Sequence, residues 1–175
     1  MSRASDLARI LGTSTVIPTA NLTLPSGSVL QTLSMTSDTN TAHQTLNTYT
    51  DTNMTLDITP SSTSNKILAI VSFSVRAYHT NYNSWGRIAL YRGSTIVCTR
   101  DSIKDGGNNA EGVTTPSGFV HLDSPSSTSA LTYLIKGKLI VSDNYAAQMD
   151  IGEFRDDSTN DETNMQSLTL MEIKG

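Results

Sequence analysis

The sequence predicts an all-β protein, an antiparallel β-sandwich or jelly roll, and three observations carry that expectation. First, the odd-numbered residues Ile67, Ala69, Val71, Phe73, Val75 and Ala77 are all apolar, while Ser72, Ser74 and Arg76 lie between them. Only a β-strand, whose side chains alternate between faces, places such a set on one side. Second, a turn-rich run, Thr59-Pro60-Ser61-Ser62-Thr63-Ser64-Asn65, introduces that strand. Its proline sits just outside the ladder, where the missing N–H does no harm. Third, this unit of polar Ser/Thr turn and two-faced strand recurs down the chain with no helical segment between strands. That favours a two-sheet antiparallel sandwich over βαβ units.

Taken in order, residues 5–11 predict a short helix. Ser5 caps it, Asp6 suits its positive end, Leu7, Ile10 and Leu11 share one face, and Gly12 stops it. A helix this short is not stable alone, so it must dock. Thr13 to Ser28, with Pro18, Pro25 and Gly27, reads as an extended connector. Residues 1–28 are therefore expected to be an anchoring arm, with Leu7, Ile10 and Leu11 as its anchoring residues. Residues 29–175 are expected to form the sandwich domain.

Within that domain strands are expected at Val29–Met35, Leu46–Thr50, Met54–Ile58 and Ile67–Tyr78, the last being the strongest. Arg87–Tyr91 and Thr95–Thr99 flank Arg92-Gly93-Ser94, a tight glycine-containing hairpin. Phe119–Leu122 follows an Asp105-Gly106-Gly107-Asn108-Asn109 loop. Leu131–Val141 comes next, with Gly137 as a candidate bulge. Ala146–Phe154 and Met165–Ile173 complete some eight to ten strands.

Composition limits the function. Ser and Thr together number 48 of 175 residues and charged residues make up only 16%, which suits an uncharged β surface. The apolar residues keep strand period, so the bias does not signal disorder. A net charge of −4, a pI near 5.2 and scattered Lys and Arg argue against nucleic-acid binding, which needs clustered cations. Cys98 is the only cysteine, which excludes an internal disulfide and reads as a small buried side chain. The first residues contain no apolar leader segment and no apolar run reaches membrane-spanning length, so membrane insertion is not expected and synthesis in a cytoplasm is.

No constellation for catalysis stands out. His43, His79 and His121 lie in separate elements without metal-ligand spacing, no G-x-S-x-G elbow occurs, and Gly106-Gly107 lacks the Lys-Ser/Thr and helix of a phosphate loop. The acidic run Asp150, Glu153, Asp156, Asp157, Asp161 and Glu162 superficially echoes a calcium loop. The central glycine and the flanking helices are missing, so a solvated loop is expected rather than a metal site. No catalytic residue, metal or cofactor is assigned. The aromatic group is a stronger signal: Tyr78, Tyr82 and Trp85, with Tyr91 beyond, lie on and around a loop rich in amide side chains. Aromatic faces beside amides suit contact with a carbohydrate or a protein, while the alternative is that Trp85 plugs one end of the sandwich.

The segment Val29-Leu30-Gln31 and the run Leu56-Asp57-Ile58-Thr59-Pro60-Ser61-Ser62-Thr63-Ser64-Asn65-Lys66-Ile67-Leu68 resemble a module of structural proteins of tailed bacteriophages, particularly marine ones. The match covers the first two-fifths of the chain. The later order, Arg87 to Ile96, Leu131 to Leu134 and Leu168 to Ile173, is similar to the complement-head and tumour-necrosis-factor-like jelly roll. The resemblance implies a non-enzymatic virion component: a capsid decoration, or a tail or fibre-associated subunit. It further implies a homotrimer that contacts other virion proteins of capsid or tail, with host-surface glycan as a candidate partner. It hands over no catalytic residues. A carbohydrate-binding module outside a virion and a small hydrolase are the alternative readings.

Overall fold

A computed structural model describes residues 24–43, 46–79, 84–105, 113–141, 147–156, 160–163 and 165–175. Among them there is no helix. The elements are β1 (Val29–Ser37), β2 (Thr41–His43), β3 (Thr50–Ile58), β4 (Lys66–His79), β5 (Ser84–Arg92), β6 (Thr95–Asp105), β7 (Val113–Asp123), β8 (Leu131–Val141), β9 (Ala147–Ile151), β10 (Glu153–Asp156), β11 (Asn160–Thr163) and β12 (Gln166–Ile173). The expected helix at residues 5–11, and the arm through residue 23, lie outside the described residues.

The strands form an antiparallel sandwich. In the first sheet β4 is flanked by β7 on one side and by both β12 and β9 on the other. β12 pairs with residues 66–72 of β4 and β9 with residues 75–79, so the two are halves of one row. β1 and β2 form a matching row beyond them, β1 against β12 and β2 against β9. The second sheet has the order β3-β8-β5-β6. Counted as rows, the first pairs with the last, the second (β3) with the seventh (β8), the third (β4) with the sixth (β7), and the fourth (β5) with the fifth (β6). The chain is thus one long hairpin wound on itself.

Alternation places the core between the sheets. Ile67, Ala69, Val71, Phe73 and Val75 of β4 are buried with Leu168 and Leu170, Met149 and Ile151, and Phe119. Met54 and Ile58, Ile88 and Leu90, Tyr133, Ile135 and Leu139, and Cys98 oppose them from the second sheet. Phe73 and Phe119 meet edge to face, their centroids 6.3 Å apart. Cys98 is buried, as expected of a small core side chain.

Four sequence expectations need correction. Leu46–Thr50 is not a strand: Asn47 adopts φ 56°, a left-handed conformation that asparagine tolerates, and Leu46 makes only an isolated parallel bridge to Leu139. Gly137 is not a bulge, since it pairs regularly with Ile88 and Thr50. The irregularity lies opposite, in β3 between Asp51 and Thr55. There the Thr52 hydroxyl donates to the Ile135 carbonyl at 2.8 Å and accepts from the Met54 amide at 3.2 Å, filling in for the ladder. Ala146–Phe154 is not one strand either, because Gly152, at φ 88°, ends β9 and starts the β10–β11 hairpin. The acidic run expected as a loop is largely this hairpin, with Glu153 opposite Thr163 and Asp156 opposite Asn160.

The breaks in the two outer rows lie side by side. The Gln166 side-chain amide, almost fully buried, donates to the Thr39 carbonyl at 2.8 Å, and so joins the β9–β12 break to the β1–β2 break. β7 extends through Pro116 further than the sequence suggested. That is permitted because β7 pairs only with β4 and needs no amide on its other side.

Candidate interaction surfaces

The outward face of the first sheet divides into two halves along β4. In the first half the register aligns Val120 and Ile70 in one row, Leu122, Leu68 and Met171 in the next, and Ile173 with Val29 at the end. Val120 is 57% exposed, Val29 51%, Leu122 48% and Ile70 36%, with Leu68, Met171 and Ile173 half-buried. These positions alternate with the core residues, so no inward packing is open to them. They form a contiguous apolar strip.

The second half is polar and buried. Ser74, Arg76 and Asp150 are 5%, 2% and 0% exposed. Arg76 and Asp150 face each other across β4 and β9, with Nη1 and Oδ2 3.9 Å apart. Cover comes from the β10–β11 hairpin: β10 approaches β4 and also β7, which lies on the far side of β4 from β9, so it crosses this half of the face. The excursion starts where Gly152 donates its amide to the Ser74 carbonyl at 2.9 Å.

Two hydrogen-bonded clusters hold the sandwich end nearest the apolar strip. Glu172, 1% exposed, accepts from the Ser61 amide (2.6 Å), the Ser61 hydroxyl (2.8 Å), the Asn65 amide group (2.5 Å) and the Gln31 amide group (2.7 Å). Burial pushes this carboxyl up, but the bonds from Asn65, Ser61 and Gln31 outweigh it and hold it below the ordinary glutamate value. This is why the Ser/Thr turn before β4 is ordered. On the other side, Asp123 of β7 accepts from the Tyr133 hydroxyl at 2.6 Å and from Arg92 at 2.5 Å, tying the first sheet to the second. Burial and the adjacent Asp123 carboxylate push the Tyr133 phenol well above its ordinary value.

The outward face of the second sheet carries ring–cation contacts and ion pairs. Tyr49 and Tyr91 meet edge to face at 5.7 Å, Lys136 lies 4.9 Å from the Tyr91 ring centre and Lys138 4.6 Å from that of Tyr49. Lys136 also pairs with Asp51 at 2.6 Å, and Arg87 holds Asp101 through two bonds of 2.5 and 3.1 Å. Hydrogen bonding from Arg87 lowers the Asp101 carboxyl. The sequence reading did not find Tyr49. The available signal was Lys136 and Lys138, two apart on the outward positions of β8.

Of the sequence-predicted residues, Tyr78 falls near the end of β4 and Trp85 near the start of β5, paired by backbone with Gln148 and with Ile140 and Lys104. They belong to different sheets but flank one connection. Tyr82 lies outside the described residues, as do Leu7, Ile10 and Leu11. His43, His79 and His121 fall on β2, β4 and β7. Among the described residues no group of His, Cys, Asp and Glu could hold a metal ion. No described helix is long and apolar enough to cross a membrane.

No family model and no curated protein matches the chain. Among solved structures it is similar to the VP2 subviral particle of infectious bursal disease virus, with a TM-score of 0.39 and 11% identity over 84% of this chain and 42% of that one. It is also similar to the structures of the Gx strain (TM-score 0.40, 10% identity, 84% and 42% covered) and the Gt strain (0.35, 13%, 85% and 38%) of the same virus. The chain therefore spans about two-fifths of the length of the viral chains it matches. At these identities and TM-scores nothing of their residues or roles passes to this chain.

Proposed function

We propose that this chain is a non-enzymatic structural protein of a virion surface, a jelly-roll subunit that assembles as a homotrimer on the capsid or tail of a tailed bacteriophage. The observation that carries the reading is the apolar strip of Val29, Leu68, Ile70, Val120, Leu122, Met171 and Ile173. An exposed apolar patch of this kind marks a surface that meets another protein. The first-with-last winding of the rows and the resemblance of residues 29–68 to phage structural modules support the jelly-roll and virion parts of the reading. Labelling the chain and imaging particles at low resolution tests it. A label on capsid or tail is the expected result, and unlabelled particles overturn it. Sedimentation should give three times the 18.8 kDa of one chain.

A second reading is contact with a host-surface glycan through Tyr78, Tyr82 and Trp85. The observation favouring it is that Tyr78 and Trp85 stand at the two ends of the one connection that carries Tyr82. Trp85 is the only tryptophan, so a sugar-dependent change in intrinsic fluorescence reports on this site alone.

A further inference from the structure

We propose that the outer edge of β1 pairs with the β1 edge of a second copy, antiparallel and centred on Leu33, so that the first sheets of two copies run into one. A contact of this kind turns about a two-fold axis and cannot close a trimer. It therefore goes beyond the assembly proposed above and joins one trimer to the next.

Four long strands border the two sheets: β1 and β7 the first, β3 and β6 the second. An open edge presents unpaired N–H and C=O groups to any other strand, and proteins blunt such edges with charge, proline or irregular pairing. Three of the four are blunted. β7 carries Pro116 and β6 carries Arg100 and Asp101. β3 carries Asp51 and Asp57 and pairs irregularly between Asp51 and Thr55. β1 has no proline and no charged or histidine side chain, and from Gln31 to Ser37 its ladder to β12 is regular. Its other edge pairs with no described strand. The core is also incompletely covered along that edge. Leu33 pairs with the fully buried Leu170, and directly opposed residues share a face, so Leu33 points inward. It is nonetheless 36% exposed. A further strand beside β1 is what such a side chain lacks.

The residue order of β1 makes a second β1 a matching partner. With Leu33 as centre, an antiparallel pair sets Leu33 opposite its own counterpart and Met35 opposite Gln31 on the inward face. It sets Ser34 opposite Thr32 on the outward face. Each exposed inward leucine thereby covers the other. The outward row is one of small hydroxyl side chains, of the kind that already bond across β1 and β12, where the Ser34 and Thr169 hydroxyls lie 2.8 Å apart. In this register even-numbered residues meet even-numbered ones, so the backbone groups that β12 leaves free on one copy face those left free on the other. Charge decides against the other edges. A two-fold axis through β3 or β6 brings identical charges together, on a chain that already carries −4, whereas β1 brings none. The axis stands perpendicular to the sheet, so the apolar strips of both copies stay on one outward face.

Oxidative cross-linking of the full chain tests the register, with Thr32→Cys in one preparation and Ser34→Cys in another, both in a Cys98→Ala background. Thr32 and Ser34 are exposed, so both variants should keep the parent's unfolding midpoint. Mixed and oxidised, they should give a disulfide-linked pair of chains, because directly opposed residues stand about 4.5–5.5 Å apart. Either preparation oxidised alone should stay unlinked, since its thiols are then diagonal to each other. Equal linking in a single preparation overturns the inference, and so does a mixture that gives no link, whatever else occupies the edge. A trimer in sedimentation that gives no link overturns this pairing and leaves the trimer standing. A linked pair from a chain that forms no trimer does the reverse.

Discussion

Along the outward face of β4, the half that carries charge is the half that is buried, while the half that carries Leu68 and Ile70 faces outward. Residue type alone would have assigned burial the other way. The difference lies in cover. An inserted hairpin crosses Ser74, Arg76 and Asp150, and a charge beneath it is tolerated because Arg76 and Asp150 face each other across neighbouring strands. Nothing described crosses Leu68 and Ile70, and the chain retains apolar side chains there on four adjacent strands.

Substitutions at the buried half should have the largest effect. Asp150→Ala leaves Arg76 buried beside a cavity and should cost about 3–5 kcal/mol in urea unfolding. Replacing both partners by apolar residues of similar size should recover much of that loss. If the double variant is no better than the single one, the pair is not what holds the covered half together.

Glu172 sharpens the comparison from the apolar end. Glu172→Ala strands donors from Ser61, Asn65 and Gln31 and should cost about 2–3 kcal/mol. Because its folded carboxyl is depressed, the unfolded chain binds the proton more readily as pH falls. The stabilisation is therefore complete above the unfolded value of about 4.3 and is lost as pH falls through the lower folded value. Glu172→Gln should flatten the acid limb of a stability-against-pH curve, and an unchanged limb would remove Glu172 from that role.

Gly152→Ala should cost about 1–3 kcal/mol, since it places a side chain at φ 88° and against the Gln166 amide that joins the two breaks. Melting curves read the loss directly. Val120→Ser comes last, with a change within about 0.5 kcal/mol in the unfolding of the isolated chain. Its effect should instead appear in sedimentation, as weaker self-association. A large loss of folding stability would mean that Val120 is packed within its own chain.

The main strand was readable because a period of two survives even when tertiary partners are unknown: Ile67, Ala69, Val71, Phe73 and Val75 reached the core as the alternation required. The β9–β12 row was not, since its halves are separated by fourteen residues of hairpin and break, and Glu153 and Phe154 continue the strand-like composition across Gly152. Gly152, at positive φ, marks the break, and an isolated glycine in a strand pattern equally reads as a bulge within one continuing strand. Leu68 and Ile70 already stood out as apolar positions on an otherwise polar face. Their joining with Val120, Leu122 and Met171 needed the registers of β7 and β12, which no local pattern supplies. The Arg76–Asp150 pair was hidden for the same reason. The expected arm and the Tyr82 connection lie outside the described residues.

Pairing the first row with the last has a consequence for synthesis. Until β12 has left the ribosome, β1 lacks its only ladder partner and the edge of β4 along residues 66–72 is open, so Leu168 and Leu170 are absent from between the layers. Contacts this distant in sequence make for slow closure. The nascent domain must therefore hold an unfinished core from β1 until β12 emerges, and loss of the eight residues of β12 alone should leave it unable to fold at all.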